Sequence, residues 1–167
     1  MAELTVSIIP VDPCFVPERK AATKAKASLR RYYEWAENPP KVEFMPQPHF
    51  FYGDDNCDRF VCPSCSKTVR AEEVNDMAGH PDTWRELLRA ASNAPDALAH
   101  ELVVPCCKTS VMLRELAFRG ASGEVSAAIG SFRLSVIAYD DILSQERLAR
   151  LQKALGCEIR QMVGVWA

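Results

Sequence analysis

Two nine-residue stretches, VCPSCSKTV at 61–69 and VVPCCKTSV at 103–111, align without a gap. Pro63 falls on Pro105, Cys65 falls on Cys107, and both stretches end in valine after a mixture of lysine, serine and threonine. In the first copy two residues separate Cys62 from Cys65, the spacing at which a tight turn aims two thiolates at one ion. Zinc ribbons and treble clefs are built from two such knuckles. The pair therefore predicts that segments about 40 residues apart meet in space. In the second copy the position of the first cysteine is taken by Val104, and Cys106 stands where the first copy has Ser64.

A four-thiolate zinc site then comprises Cys62, Cys65, Cys106 and Cys107. Neighbouring residues of an extended chain point opposite ways, so Cys106 and Cys107 reach one ion only if the backbone bends sharply after Pro105. Otherwise Cys57, His80 or His100 supplies the fourth ligand, with His100 in AHELVVP the best placed of the three, and Cys106 fills core. A closed site of this kind is structural, since a catalytic zinc keeps one position for water. It is expected to hold together a block too small to form its own core. A thiol-redox reading is weaker: CPSC in a thioredoxin-like role opens a helix, whereas SKTVRAEEV reads first as a returning strand.

The cysteine block interrupts a regular pattern. Leu4, Val6 and Ile8 alternate with Thr5 and Ser7, the period of a half-buried strand. Pro17 suits the first turn of a helix, and Ala22, Ala25, Leu29, Tyr32, Tyr33 and Ala36 form its apolar stripe up to the NPP at 38–40. KVEFM follows as a strand, limited by Pro46 and Pro48. In the C-terminal third, SFRLSVIAYDD is a strand and SQERLARLQKALG a helix from an N-cap at Ser144 to a stop at Gly156, with EIRQMVGVW as a last strand. Two strand–helix–strand units predict an α+β fold, the ferredoxin-like split βαβ sandwich. A zinc-ribbon- or treble-clef-like insertion then lies between its second and third strands. Residues 1–52 are the first half of that domain, 53–128 the insertion, and 129–167 the second half. Within the insertion HPDTWRELLRAAS is a helix, with Thr83 and Glu86 as a capping box. RGASGEVSAAIG at 119–130 reads as linker.

The remaining features narrow the function classes. The chain of 167 residues is 48% hydrophobic with a net charge of −2, so no overall charge drives it to nucleic acid or anionic membrane. MAELTVSIIPVDP lacks the basic lead-in of a secretory signal, and no run nears the ~18 apolar residues of a membrane helix. A cytoplasmic location follows as the expectation, where seven cysteines point to metal before disulfide. Arg19, Lys20, Lys24, Lys26, Arg30 and Arg31 occur with no acid between them. They read as a solvated helix face, or as a basic surface for an acidic partner or a nucleic-acid backbone. Asp54, Asp55 and Asp58 read as turn residues after the aromatic run HFFY. No phosphate loop, GxSxG or HExxH signature is present.

With its CPSC segment, its later PCC segment and the ending LGCEIRQMVGVW, the chain resembles small uncharacterised bacterial proteins that share these features. That resemblance spans most of the chain and implies no enzymatic activity. Some proteins of this kind look like immunity or inhibitor partners of bacterial toxins. The sequence thus points to a non-enzymatic, zinc-stabilised protein that binds another protein. The alternatives are a nucleic-acid-binding ribbon and, less favoured, a thiol-dependent redox enzyme.

Overall fold

The computed structural model describes residues 3–139 and 141–166, the side chain of Trp166 excepted. The chain is α+β. Strands β1 (Glu3–Pro10), β2 (Lys41–Tyr52), β8 (Ala127–Ala138) and β9 (Ile159–Trp166) form one sheet in the order β2-β8-β1-β9. Every neighbouring pair in it is antiparallel. Helices α1 (Arg19–Tyr32) and α4 (Gln145–Leu155) share a buried cluster with this sheet. Ala22, Ala25 and Leu29 of α1 and Leu151 and Leu155 of α4 meet Val6, Ile8, Leu134 and Val136 there. Small residues on α1 let it lie close to the strands, while its lysines and all its arginines but Arg30 stay outside.

Local signals set the element ends. Ser144 accepts a hydrogen bond from the Arg147 N–H, and Gly156 closes α4 with φ of 76°, a left-handed conformation that costs glycine little. Helix α1 starts at Arg19, so Pro17 precedes the helix and is not in its first turn. Strand β2 runs further than KVEFM, but its pairing with β8 shifts between Phe44 and His49. Pro46 and Pro48 fall in that irregularity on an edge strand, where a missing N–H breaks no ladder.

Between β2 and β8 lie β3 (Arg59–Val61), β4 (Thr68–Arg70), α2 (Ala71–Ala78), α3 (Thr83–Ser92), β5 (Glu101–Val103), β6 (Ser110–Met112) and β7 (Ala117–Arg119). A three-stranded sheet orders as β4-β3-β7, and β5 pairs with β6. This block is not too small for a core: Phe60, Val69, Trp84, Leu88, Leu113 and Phe118 are buried together, and Phe50 of β2 joins them. The Trp84 ring stacks on Phe60 at 5.6 Å, and its Nε1–H donates to the Cys57 carbonyl at 2.7 Å.

Three local expectations give way. Residues 127–130 are strand and not linker: β8 begins at Ala127, paired with Tyr52. Small residues are needed there, because a Cβ on Gly130 would lie 2.7 Å from the Ile9 side chain. Thr83 is the first residue of α3 and not its cap, its hydroxyl donating to the His80 carbonyl. Asn75 of α2 does the capping, its Oδ1 accepting from the Trp84 N–H at 2.9 Å. The strand-like lead-in hides helix α2, although Glu72 and Glu73 in its first turn and Gly79 at its end (φ 66°) are helix signals.

The far end of the sheet curls until it nearly closes. The Gly53 N–H donates to the Ser126 carbonyl at 2.8 Å, joining the two ends of the inserted block. The Val163 N–H donates to the Val125 carbonyl and the Val165 N–H to the Gly53 carbonyl, so the outer edge of β9 is partly covered. A Cβ on Gly53 would sit 2.5 Å from the Val163 carbonyl oxygen, so the approach requires glycine. Ile9, Phe51, Ala128 and Met162 form a small buried cluster. This is why Phe50 and Phe51 are both buried although adjacent: they belong to different clusters.

Candidate metal centre

The two aligned segments fold as two β-hairpins with the same turn. In the first, the Cys62 N–H donates to the Lys67 carbonyl and the Ser66 N–H to the Cys62 carbonyl, each at 2.9 Å. In the second, the Val104 N–H donates to the Thr109 carbonyl and the Lys108 N–H to the Val104 carbonyl, each at 3.0 Å. Ser66 and Lys108, which occupy equivalent positions, both adopt the left-handed region with φ of 61° and 58°. That reversal bends the backbone beside the second cysteine of each segment. CPSC therefore spans a strand-to-strand turn and does not open a helix.

The turns bring Cys62, Cys65, Cys106 and Cys107 together, with all four sulfurs within 4.8 Å of one another. Cys62 Sγ is 3.8 Å from Cys107 Sγ, Cys65 Sγ is 3.5 Å from Cys106 Sγ, and the Cys106 and Cys107 sulfurs are 4.0 Å apart. A tetrahedral ion with metal–sulfur bonds of about 2.3 Å sets its sulfurs about 3.8 Å apart. A disulfide needs about 2.05 Å, and all seven cysteines are free. Four cysteines so arranged could hold a metal ion.

At position 104 the second segment has valine where the first has Cys62. Val104 is fully buried and belongs to the core of the block, as Cys62 does. Cys106, on the turn itself, is half-buried and directed at Cys65. Among the described residues, Cys57, His80 and His100 are not members of the cluster. Cys57 is buried beside Trp84, and burial pushes its thiol up to about 12. His80 uses Nδ1 to accept from the Asp82 N–H at 3.2 Å.

The thiols do not titrate alike. Burial and hydrogen bonds with the sulfurs of Cys65, Cys62 and Cys107 push Cys106 up to about 12. The Thr109 hydroxyl and backbone, followed by the neighbouring sulfurs, hold Cys107 down to about 6. A dication held among the sulfurs would favour the thiolate form of its ligands. Ser64 links the turns by donating to the Thr109 hydroxyl at 3.4 Å, and Thr109 lies 3.3 Å from the Cys107 sulfur. This supporting pair carries no sequence signal of its own, because Thr109 aligns with Lys67.

Elsewhere, Arg19, Lys20, Lys24, Lys26 and Arg31 are exposed on or beside α1, whereas Arg30 is half-buried and donates to the Ala36 carbonyl at 2.7 Å. Asp54 turns the chain with φ of 45°, Asp55 pairs with Arg85 at 3.7 Å, and Asp58 pairs with Arg59 at 2.8 Å. Burial, then the charge of Asp55, raises the Asp54 carboxyl. Among the described residues, no helix is long and apolar enough to cross a membrane. No protein-family model, curated protein or solved structure matches the chain.

Proposed function

We propose that the chain is a cytoplasmic, zinc-stabilised binding protein, a ferredoxin-like sandwich whose zinc-ribbon-like insertion holds one structural zinc on Cys62, Cys65, Cys106 and Cys107. The sulfur spacing carries this reading: four thiolates at tetrahedral distances leave no position for a substrate or a reactive water. The sheet order β2-β8-β1-β9, antiparallel throughout, supports the sandwich, and the paired hairpins support the ribbon. An all-sulfur tetrahedral site suits zinc or iron. Metal analysis of protein purified without chelator is expected to give one zinc per chain and no visible iron–sulfur absorption. Metal-free protein from zinc-replete cells would overturn the assignment.

The function proposed is contact with another protein. Trp35 is 48% exposed and lies beside Tyr139 with ring centroids 5.8 Å apart, an aromatic surface of the kind enriched at interfaces. Capture from the host lysate is expected to return a partner that Trp35→Ala loses, with zinc content unchanged. A second reading rests on the exposed basic residues of α1, which form no ion pair among the described residues. If they bind a nucleic-acid backbone, affinity falls steeply as salt rises. Salt-insensitive or absent retention on RNA and DNA removes that reading.

A further inference from the structure

We infer that the hollow beside Leu116, between the curled end of the main sheet and the inserted block, is a binding site for an apolar monocarboxylate. Two separate hollows lie in this region, one of about 450 Å³ beside Trp84 and a second of about 330 Å³ beside Leu116. Only the second has a single sign of charge. Its floor is apolar, made by Phe50 of β2, Leu116 and Phe118 around β7, and Ile129 of β8. Its charged residues are Arg114 and Arg160, and no aspartate or glutamate lines it. Among the described residues neither arginine forms an ion pair, and Arg160 has one long hydrogen bond, 3.4 Å, to the Val11 carbonyl. In the larger hollow, by contrast, Arg85 is already paired with Asp55.

The space exists because of residue choice. Ala127 and Ala128 put only methyl groups on its wall. A hollow of this volume takes roughly ten water-sized groups, which matches a short amphipathic acid and lies at the small end of ligand sites. Buried aromatic floor favours an alkyl or aryl tail. A guanidinium fork favours a planar carboxylate, which it engages through two parallel hydrogen bonds. The site is independent of the cysteine cluster.

The probes are n-octanoate and n-octanol, added to the full, metal-loaded chain and followed by titration calorimetry and amide chemical shifts. Octanoate is expected to bind saturably, one per chain, at least tenfold tighter than octanol, with the largest shifts at Leu116, Phe118 and Ile129. Arg114→Gln and Arg160→Gln are each expected to weaken octanoate about tenfold and leave octanol unchanged. Arg114 is exposed, so its variant keeps the fold even if the half-buried Arg160 variant does not. Equal affinity for acid and alcohol, no saturation at millimolar octanoate, shifts centred elsewhere, or an unaffected Arg114 variant would each overturn the proposal. Metal content, measured in parallel, separates this outcome from failure of the zinc assignment.

Discussion

Replacing Cys106 by serine tests whether the second hairpin is a shifted copy of the first. Its sulfur lies 3.5 Å from that of Cys65 and 4.0 Å from that of Cys107, distances that would make it a full corner of the proposed tetrahedral site. Structural zinc sites bind with about 10–16 kcal/mol. An even division among four thiolates gives about 3 kcal/mol each, or about a hundredfold in affinity. Competition against a chromogenic chelator, in reducing and oxygen-free buffer, is therefore expected to show zinc held about a hundredfold more weakly by Cys106→Ser. The structure also specifies a rescue. Val104 makes the same pair of backbone hydrogen bonds as Cys62, so Val104→Cys restores the regular two-residue spacing. The double variant, Val104→Cys with Cys106→Ser, is expected to recover most of the loss. If Cys106→Ser keeps zinc within threefold of the parent, Cys106 is a bystander and the reasoning from sulfur spacing fails. If the single variant loses zinc but the double variant does not regain it, the equivalence of positions 62 and 104 is wrong.

Three further outcomes follow from the packing. Gly53→Ala places a Cβ 2.5 Å from the Val163 carbonyl oxygen; overpacking of this kind costs about 1–3 kcal/mol, and an unchanged thermal midpoint would contradict the close approach. Burial, aided by the charge of Arg133, holds His49 below its ordinary value. The folded chain thus binds fewer protons there than the unfolded chain, and stability is lost as pH falls below about 6.5. Urea midpoints of the parent should drop more than those of His49→Gln between pH 7.5 and 5.5, and equal drops would refute the assignment. Chelation is expected to leave Trp84 fluorescence near native while amides in the hairpins 61–69 and 103–111 lose exchange protection, because the block has a core beyond the cysteine cluster. Complete unfolding on chelation would show that core to be insufficient.

The α+β class was legible because its strands and helices carry plain periodicities, as in Leu4–Ile8 and in the alanine stripe of α1. The pairing of the cysteine segments was legible because a gapless alignment encodes a shared turn, here with Ser66 and Lys108 both left-handed. What sequence missed depends on tertiary partners. Asn75 caps α3 from another helix, which no local capping pattern reveals. Residues 127–130 looked like linker because small residues serve loops as well as crowded strands, and only the approach of Ile9 to Gly130 distinguishes them. The core of the inserted block was underestimated because Phe60, Trp84 and Phe118 are far apart in sequence and meet only across β3, α3 and β7.

The hydrogen bond from Gly53 to Ser126 makes β2 and β8 a hairpin whose loop is itself a folded body. For a flexible loop some twenty times longer than an ordinary turn, closure costs about 2.5 kcal/mol of extra chain entropy. Once the inserted block has folded, its two ends already stand side by side and that entropy is no longer at issue. The expected order of folding is therefore block first, with the register of β2 on β8 zipping from its base. A short turn grafted between Tyr52 and Ala127 in place of the block would free the sheet from that sequence of steps.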